Sequence, residues 1–238
     1  LWMAGDSIMQ SYAPEDKPVT GWGEMLHTLA HGDAVCQTAH RADCPFPQEM
    51  RYELPGLVID NCAMAGRSSK TFREEGRLDD IAAHIRPGDL LVVSFGHNDA
   101  NRAKAERYVP ADAFGESLRP FWDAARSHGA VCIFASPVAM REFDEAGVCH
   151  PSFAAYREAM RAFAAEVGAP FIDLGAATAA ANTAFGAERC KARYMWVGAK
   201  QDNAHQQNAG ACRTAQAFVQ QLLQDTTPAL DVLRANFK

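Results

Sequence analysis

Five short apolar runs are spaced along the chain, at residues 1–4, 57–60, 89–95, 130–135 and 170–173. They lack the apolar–polar alternation of a strand with one wet face, and so suit a parallel sheet covered on both sides. Helical patterns fall between them. Residues 21–31 set Trp22, Met25, Leu26 and Leu29 on one face, and residues 152–167 carry Tyr156, Met160, Phe163 and Val167 at helical spacing. Ser152 reads as the N-cap of that second helix and Gly168 as its stop. A last amphipathic helix is expected over 209–223. Strands alternating with helices predict an α/β fold: a doubly wound, flavodoxin-like three-layer sandwich on a five-stranded, mostly parallel sheet.

The 238 residues, 48% of them hydrophobic, suit one sizeable domain spanning 1–238. Residues 32–56, with Pro45, Pro47 and Pro55, are the least regular stretch and read as an excursion from it. The net charge of −6 argues against a nucleic-acid partner, which usually meets a basic stripe. Attraction to an acidic polymer would have to be local. No apolar run approaches the roughly 20 residues of a membrane span, so no membrane partner is expected. Seven cysteines, an odd number without a CxxC pair, lean towards reduced thiols and a cytoplasm-like compartment. A Cys36–Cys44 disulfide is the alternative, and secretion follows if an upstream signal has been removed.

In sheets of this kind chemistry gathers at the carboxyl ends of the strands. The first run ends in Gly5-Asp6-Ser7. The second leads into Asn61-Cys62-Ala63-Met64-Ala65-Gly66-Arg67-Ser68-Ser69, and the third into Gly96-His97-Asn98-Asp99. A fourth polar cluster, Asp202-Asn203-Ala204-His205, precedes the last helix. Acyl transfer needs a nucleophile, a base, a group that orients the base, and donors for the developing oxyanion. Ser7 after a strand and a glycine is a candidate nucleophile. His205 is a candidate base and Asp202 its orienter, three residues away across a turn. The backbone N–H groups of Ser7 and Gly66, with the Asn98 amide, would form the oxyanion hole. Each piece alone has a plainer reading: a turn, a βα loop with Asp99 as a helix cap, a surface histidine. Their joint occurrence, in order, raises the chemical reading.

The four segments resemble the sequence blocks of the SGNH (GDSL-type) hydrolases. The resemblance implies that fold, Ser7 as nucleophile, Asp202 and His205 as its partners, and Ser7, Gly66 and Asn98 as oxyanion donors. A narrower set is similar to the rhamnogalacturonan acetylesterase branch. It comprises Ala4-Gly5-Asp6-Ser7, Gly21-Trp22-Gly23, Asn61-x-Ala63-x-x-Gly66-Arg67-Ser68-Ser69 with Phe72 and Glu75-Gly76-Arg77, Pro87-Gly88-Asp89 leading to Phe95-Gly96-His97-Asn98-Asp99, and Asp202-Asn203-x-His205 with Gly210-Ala211. The chain departs from it at Ile8, where Thr is common, at Gln206-Gln207, and in the length of the 32–56 excursion. That branch implies removal of O-acetyl groups from a pectic backbone.

Arg67, Lys70 and Arg141 follow strand ends and are candidates for pairing with a uronate carboxylate, against a structural role in their own loops. Trp196 is a candidate sugar platform, whereas Trp22 reads as core. His27 and His31 lack the glutamate of a zinc helix, since Thr28 stands there. They are set aside with Cys36, His40 and Cys44, so that no metal or other cofactor is expected. The expected partner is a small-molecule or oligosaccharide ester. Two further readings stay open: a hydrolase of another short-chain acyl ester, lipid or thioester, and a non-catalytic α/β binding module.

Overall fold

The computed structural model describes residues 1–31 and 37–237. The five apolar runs form parallel strands: β1 (Trp2–Gly5), β4 (Leu57–Asn61), β5 (Leu90–Ser94), β6 (Val131–Ala135) and β7 (Phe171–Ile172). The sheet has seven strands rather than five, in the order β2-β3-β4-β1-β5-β6-β7. The two additions, β2 (Gln37–Ala39) and β3 (Met50–Leu54), come from the stretch read as irregular and run antiparallel. Met50-Arg51-Tyr52-Glu53-Leu54 alternates as an edge hairpin does, with Tyr52 buried. Pro55-Gly56 then turns the chain so that Leu54 pairs with Leu57. The φ of 80° at Gly56 is the left-handed value a type II turn requires at that position.

Helices cover both faces. Met3, on one face of β1, packs with Trp22, Leu26 and Phe218. These come from α1 (Trp22–Met25), the 3₁₀ turn Leu26–Leu29 and α8 (Asn208–Gln224). Trp2 and Ala4, on the other face, pack with Phe72, Phe121 and Phe163. Those residues lie on α2 (Ser69–Glu74), α4 (Ala111–Ser127) and α5 (Ala154–Val167), and α3 (Arg77–His84) lies beside them. Burial of both faces explains why the central runs are continuously apolar. The expected helix over 21–31 is therefore a short α-helix that tightens to a 3₁₀ turn, with Trp22 fully buried. The N-cap of α5 is Phe153 rather than Ser152, whose hydroxyl accepts from Met140 N at 2.9 Å. Gly168 ends that helix in the left-handed region.

After α6 (Leu174–Phe185) and α7 (Ala187–Cys190) the chain forms a separate ribbon of β8 (Tyr194–Val197) and β9 (Lys200–Gln206). The segment expected as a loop before the last helix is thus a strand. Met195 pairs with Asp202 but Tyr194 pairs with Gln206, so residues 203–205 bulge from the ladder. Bulges of this kind re-aim side chains.

β1 lies between β4 and β5, to which the chain passes in opposite directions. This is the switch point at whose carboxyl edge a crevice opens. The turn after β1 rests on the Gly21-Trp22-Gly23 segment. Trp22 N donates to Ile8 O at 2.9 Å, and a Cβ on Gly21 would stand 2.2 Å from Gln10 O. Because that obstacle is backbone, Gly21→Ala is expected to destabilise the protein by about 3 kcal/mol, the upper range for overpacking. Urea unfolding checks this: a lower midpoint at unchanged slope is expected, and an unchanged midpoint would show that the turn yields freely.

Candidate active site

Ser7 stands two residues past the end of β1 at Gly5, with 8% exposure. Its Oγ lies 2.9 Å from His205 Nε2. On the far side of the ring, Nδ1 lies 2.8 Å from Asp202 Oδ2. Asp202 Oδ1 accepts the backbone N–H groups of Ala204 and His205, at 2.8 and 3.0 Å. Burial acts to raise the Asp202 pKa, but those two N–H donors and the His205 charge take it below the usual carboxylate value. Asp202 therefore stays ionised, which fixes Nδ1 as the protonated nitrogen and leaves the Nε2 lone pair facing the serine hydroxyl. His97 is otherwise engaged. Its Nε2 lies 3.0 Å from Val138 O, and burial pushes its pKa down to about 4.

The expected oxyanion donors lie around Ser7. Ile8 N is taken by Asp6 Oδ1, Ala65 N by Gln10 Oε1 and Arg67 N by Met64 O. This leaves the Ser7 and Gly66 amides without a partner among the described residues. Asn98 is 9% exposed and uses Nδ2 to hold Arg67 O at 2.9 Å, which orients an amide whose second N–H is unspent. Gly66 has φ 79°, a left-handed backbone that favours glycine. Three donors and a serine–histidine–aspartate chain on one crevice can attack an acyl carbonyl and hold the resulting negative charge.

The basic residues divide. Arg67 Nε contacts both Glu75 oxygens and its Nη1 donates to Ala65 O, bracing its own loop. Arg141 donates Nε and Nη2 to Ala187 O, and its backbone N holds Asn203 O at 2.7 Å, beside the histidine. Its guanidinium lies 4.7 Å from the Trp196 ring centroid, and Lys191 lies 4.8 Å from the same centroid. Cations thus already contact the ring suggested as a sugar platform. Lys70, in α2, makes no hydrogen bond or ion pair among the described residues.

Sequence reasoning missed Gln10, Tyr12, Asp6 and Arg107. Gln10 holds Ala65, and Tyr12 Oη donates to Ser7 O at 2.9 Å. Both also line a cavity of about 520 Å³ whose opposite wall includes His40, Gln48 and Tyr52 from the excursion. Arg107 Nη1 donates to Gly66 O at 3.1 Å. A candidate for holding a metal lies elsewhere, where Cys44, Glu49 and Asp80 bring ligand atoms within 4.8 Å of one another. There Cys44 Sγ donates to Glu49 and Arg41 pairs with Asp80, so the group carries its own partners. The described cysteines carry free thiols; Cys36 lies outside the described residues.

A three-layer α/β sandwich with a serine, a histidine and an aspartate at the switch point is the arrangement expected of an esterase-type hydrolase. The chain belongs to the GDSL-like lipase/acylhydrolase family, whose model matches residues 3–211. It is 32% identical over 242 residues to rhamnogalacturonan acetylesterase RhgT of Bacillus subtilis (strain 168), covering 98% of this chain and 93% of that protein. It is also 33% identical over 214 residues to the probable rhamnogalacturonan acetylesterase YesY of the same organism, covering 89% and 86%. Among solved structures, the Bacillus subtilis protein YxiM superposes with a TM-score of 0.78 at 26% identity. That match covers 96% of this chain and spans 57% of the solved one. The protein is accordingly a carboxylic ester hydrolase.

Beneath the crevice, Asp6 is 2% exposed and its Oδ2 has no partner. Burial pushes its carboxyl up to about 7; Ile8 N–H and Arg107 oppose the shift and Asp99 adds to it. Folded Asp6 thus holds its proton up to about pH 7, whereas the ordinary value is 3.8. Between these values unfolding releases a proton, so the folded state loses stability as pH rises through the window. Asp6→Asn keeps the shape without titrating. Its stability relative to wild type is expected to climb between about pH 4 and pH 7, by at most about 4 kcal/mol. Thermal unfolding of both proteins across that range checks this, and a constant gap would overturn it.

Proposed function

We propose that the protein is a serine esterase that removes O-acetyl groups from acetylated pectic saccharides of the rhamnogalacturonan kind. The observation that carries the reading is the unbroken hydrogen-bonded series Ser7–His205–Asp202 beside three unspent donors. The acetyl and saccharide assignments draw on the relatives, two of which bear the name of rhamnogalacturonan acetylesterase over most of both chains.

In this mechanism Ser7 Oγ attacks the acetyl carbonyl while His205 Nε2 takes its proton. Asp202 stabilises the imidazolium across the ring. The negative charge grows on the former carbonyl oxygen and is met by the Ser7 and Gly66 amides and Asn98 Nδ2. His205 returns the proton to the sugar oxygen, which leaves as an alcohol, and the acetyl group stays on Ser7. A water molecule, deprotonated by His205, then attacks the acetyl-serine. Acetate leaves and Ser7 regains its proton from the histidine. A binding module would not need this alignment.

Ser7→Ala and His205→Ala are each expected to remove nearly all hydrolysis of p-nitrophenyl acetate. The double variant should lose little more, because the members of such a unit are strongly non-additive. Asp202→Ala is expected to cost less. Full turnover by purified Ser7→Ala would sink the mechanism. Asn98→Ala should lower kcat by roughly 10²–10³ with little change in KM. A KM effect at unchanged kcat would make Asn98 a ground-state contact instead. Across p-nitrophenyl esters of rising length, acetyl is expected to be preferred over octanoyl. The reverse order would favour the lipid-ester alternative.

A further inference from the structure

We infer that the cavity between the turn after Ser7 and the 37–54 hairpin is a subsite for a neutral sugar unit further along the chain from the acetylated sugar. The inference rests on the acetylesterase reading above and adds to it a place where the length of the saccharide is read.

The first argument is position. Tyr12 Oη donates to Ser7 O at 2.9 Å, and Gln10 Oε1 accepts from Ala65 N, in the loop that carries Gly66. Both residues also line the cavity of about 520 Å³. The cavity therefore begins no farther from Ser7 than one tyrosine side chain and one hydrogen bond. A saccharide with its ester at Ser7 reaches that far with its next unit or two.

The second argument is the chemistry of the lining. Pro14, Pro47 and Met50 supply apolar surface, and Asp16, Thr38 and His40 supply exposed polar groups. Apolar surface with a few polar groups is the usual composition of a small-molecule site, and the volume lies in the usual range. A pyranose ring matches it, with C–H faces for the apolar wall and hydroxyls for the polar one. The Asp16 carboxylate makes no side-chain hydrogen bond or ion pair among the described residues, so its oxygens are open to sugar hydroxyls. Lys17 is spent on Glu24, and burial favours the neutral ring of His27. Asp16 is thus the unpaired carboxylate of the described lining, which repels a second carboxylate and admits a neutral unit.

The third argument is construction. Tyr52 Oη and Ser11 Oγ lie 2.8 Å apart, and Asn61 Nδ2 donates to the same Ser11 oxygen at 2.9 Å. The His27 ring stacks on Tyr52 with centroids 4.5 Å apart. The hairpin wall is thereby tied to the wall that the turn provides. The cavity is formed before a ligand arrives, which reduces the ordering that binding costs. None of its lining residues belongs to the motifs shared with the acetylesterase branch, and one wall comes from the excursion whose length sets this chain apart.

The experiment compares an acetylated methyl galacturonoside with an acetylated tetrasaccharide of the rhamnogalacturonan backbone. Wild-type enzyme is expected to favour the tetrasaccharide in kcat/KM by about 10–100-fold, carried mainly by KM, as one charge-assisted hydrogen bond with some apolar contact implies. Ala13→Trp and Thr38→Trp, at exposed positions on the two walls, fill the cavity and should each bring that ratio close to one. Asp16→Ala should lower it by about tenfold. A ratio that persists in both tryptophan variants would overturn the assignment. Equal losses on both substrates would mean that the variants only disturb the turn at Ser7, and would overturn it too. A wild-type enzyme that hydrolyses both substrates equally well would overturn it while leaving the acetylesterase reading intact. One that hydrolyses p-nitrophenyl acetate but neither saccharide would overturn both.

Discussion

The turn from Gly5 to Gln10 is tied down from segments far apart in the chain. Met64 N holds Gly5 O, Tyr12 Oη holds Ser7 O, Trp22 N holds Ile8 O, and Asn61 Nδ2 holds Met9 O. Asp6 Oδ1 adds an internal bond to Ile8 N. These contacts consume the carbonyls around the serine but leave its amide and hydroxyl. For Ser7 in its proposed role as nucleophile, being held this way removes the need for reorientation as the reaction proceeds, which is the advantage of preorganised donors over water. The same ties explain the glycines at 21 and 23. A Cβ at Gly23 would stand 2.5 Å from Met9 O, so the segment can approach the turn only without side chains.

The histidine reaches that turn by a different device. β9 is anchored at its end by Thr20 N to Gln206 O and Gln207 N to Arg193 O, so the ribbon cannot slide relative to the sandwich. Between those anchors and the Met195–Asp202 pair, three residues bulge out of the ladder. The bulge lets Asp202 bond the backbone N–H and the ring of His205 at once, which a flat strand would not allow, since its side chains alternate in direction. Arg141 reinforces the arrangement from β6's side by holding Asn203 O. Its place is therefore in the support of the segment that carries His205, the proposed base.

The sequence made the parallel core legible because each central strand is buried on both faces and so is written without polar interruption. Residues 50–54 carried a weaker signal, five residues of alternation beside three prolines, although Pro55-Gly56 is itself a turn signature. The strand character of Lys200–Gln206 was not visible, since that run is almost wholly polar and owes its conformation to pairing with Tyr194–Val197. The convergence of the four polar segments followed from one rule about strand ends. Arg107 obeyed no such rule. It lies in a polar loop, and only the closure of Val109 onto Asp99 brings its guanidinium to Gly66.

Asp6 and Asp99 show what this construction costs. Both are buried carboxyls with one oxygen bonded and the other without a partner, and burial pushes the second up to about 6. Each bonded oxygen organises backbone: Asp6 fixes the amide after the serine, and Asp99 takes the N–H and hydroxyl of Ser69 at the start of α2. That second pair of bonds ties the loop after β5, which carries Asn98, to the loop after β4, which carries Gly66. An apolar residue at either position would remove the unsatisfied oxygen but also the acceptor that sets the spacing of the proposed oxyanion donors. Buried polar groups that lower stability while fixing the geometry of a crevice are what a strained functional site is expected to contain.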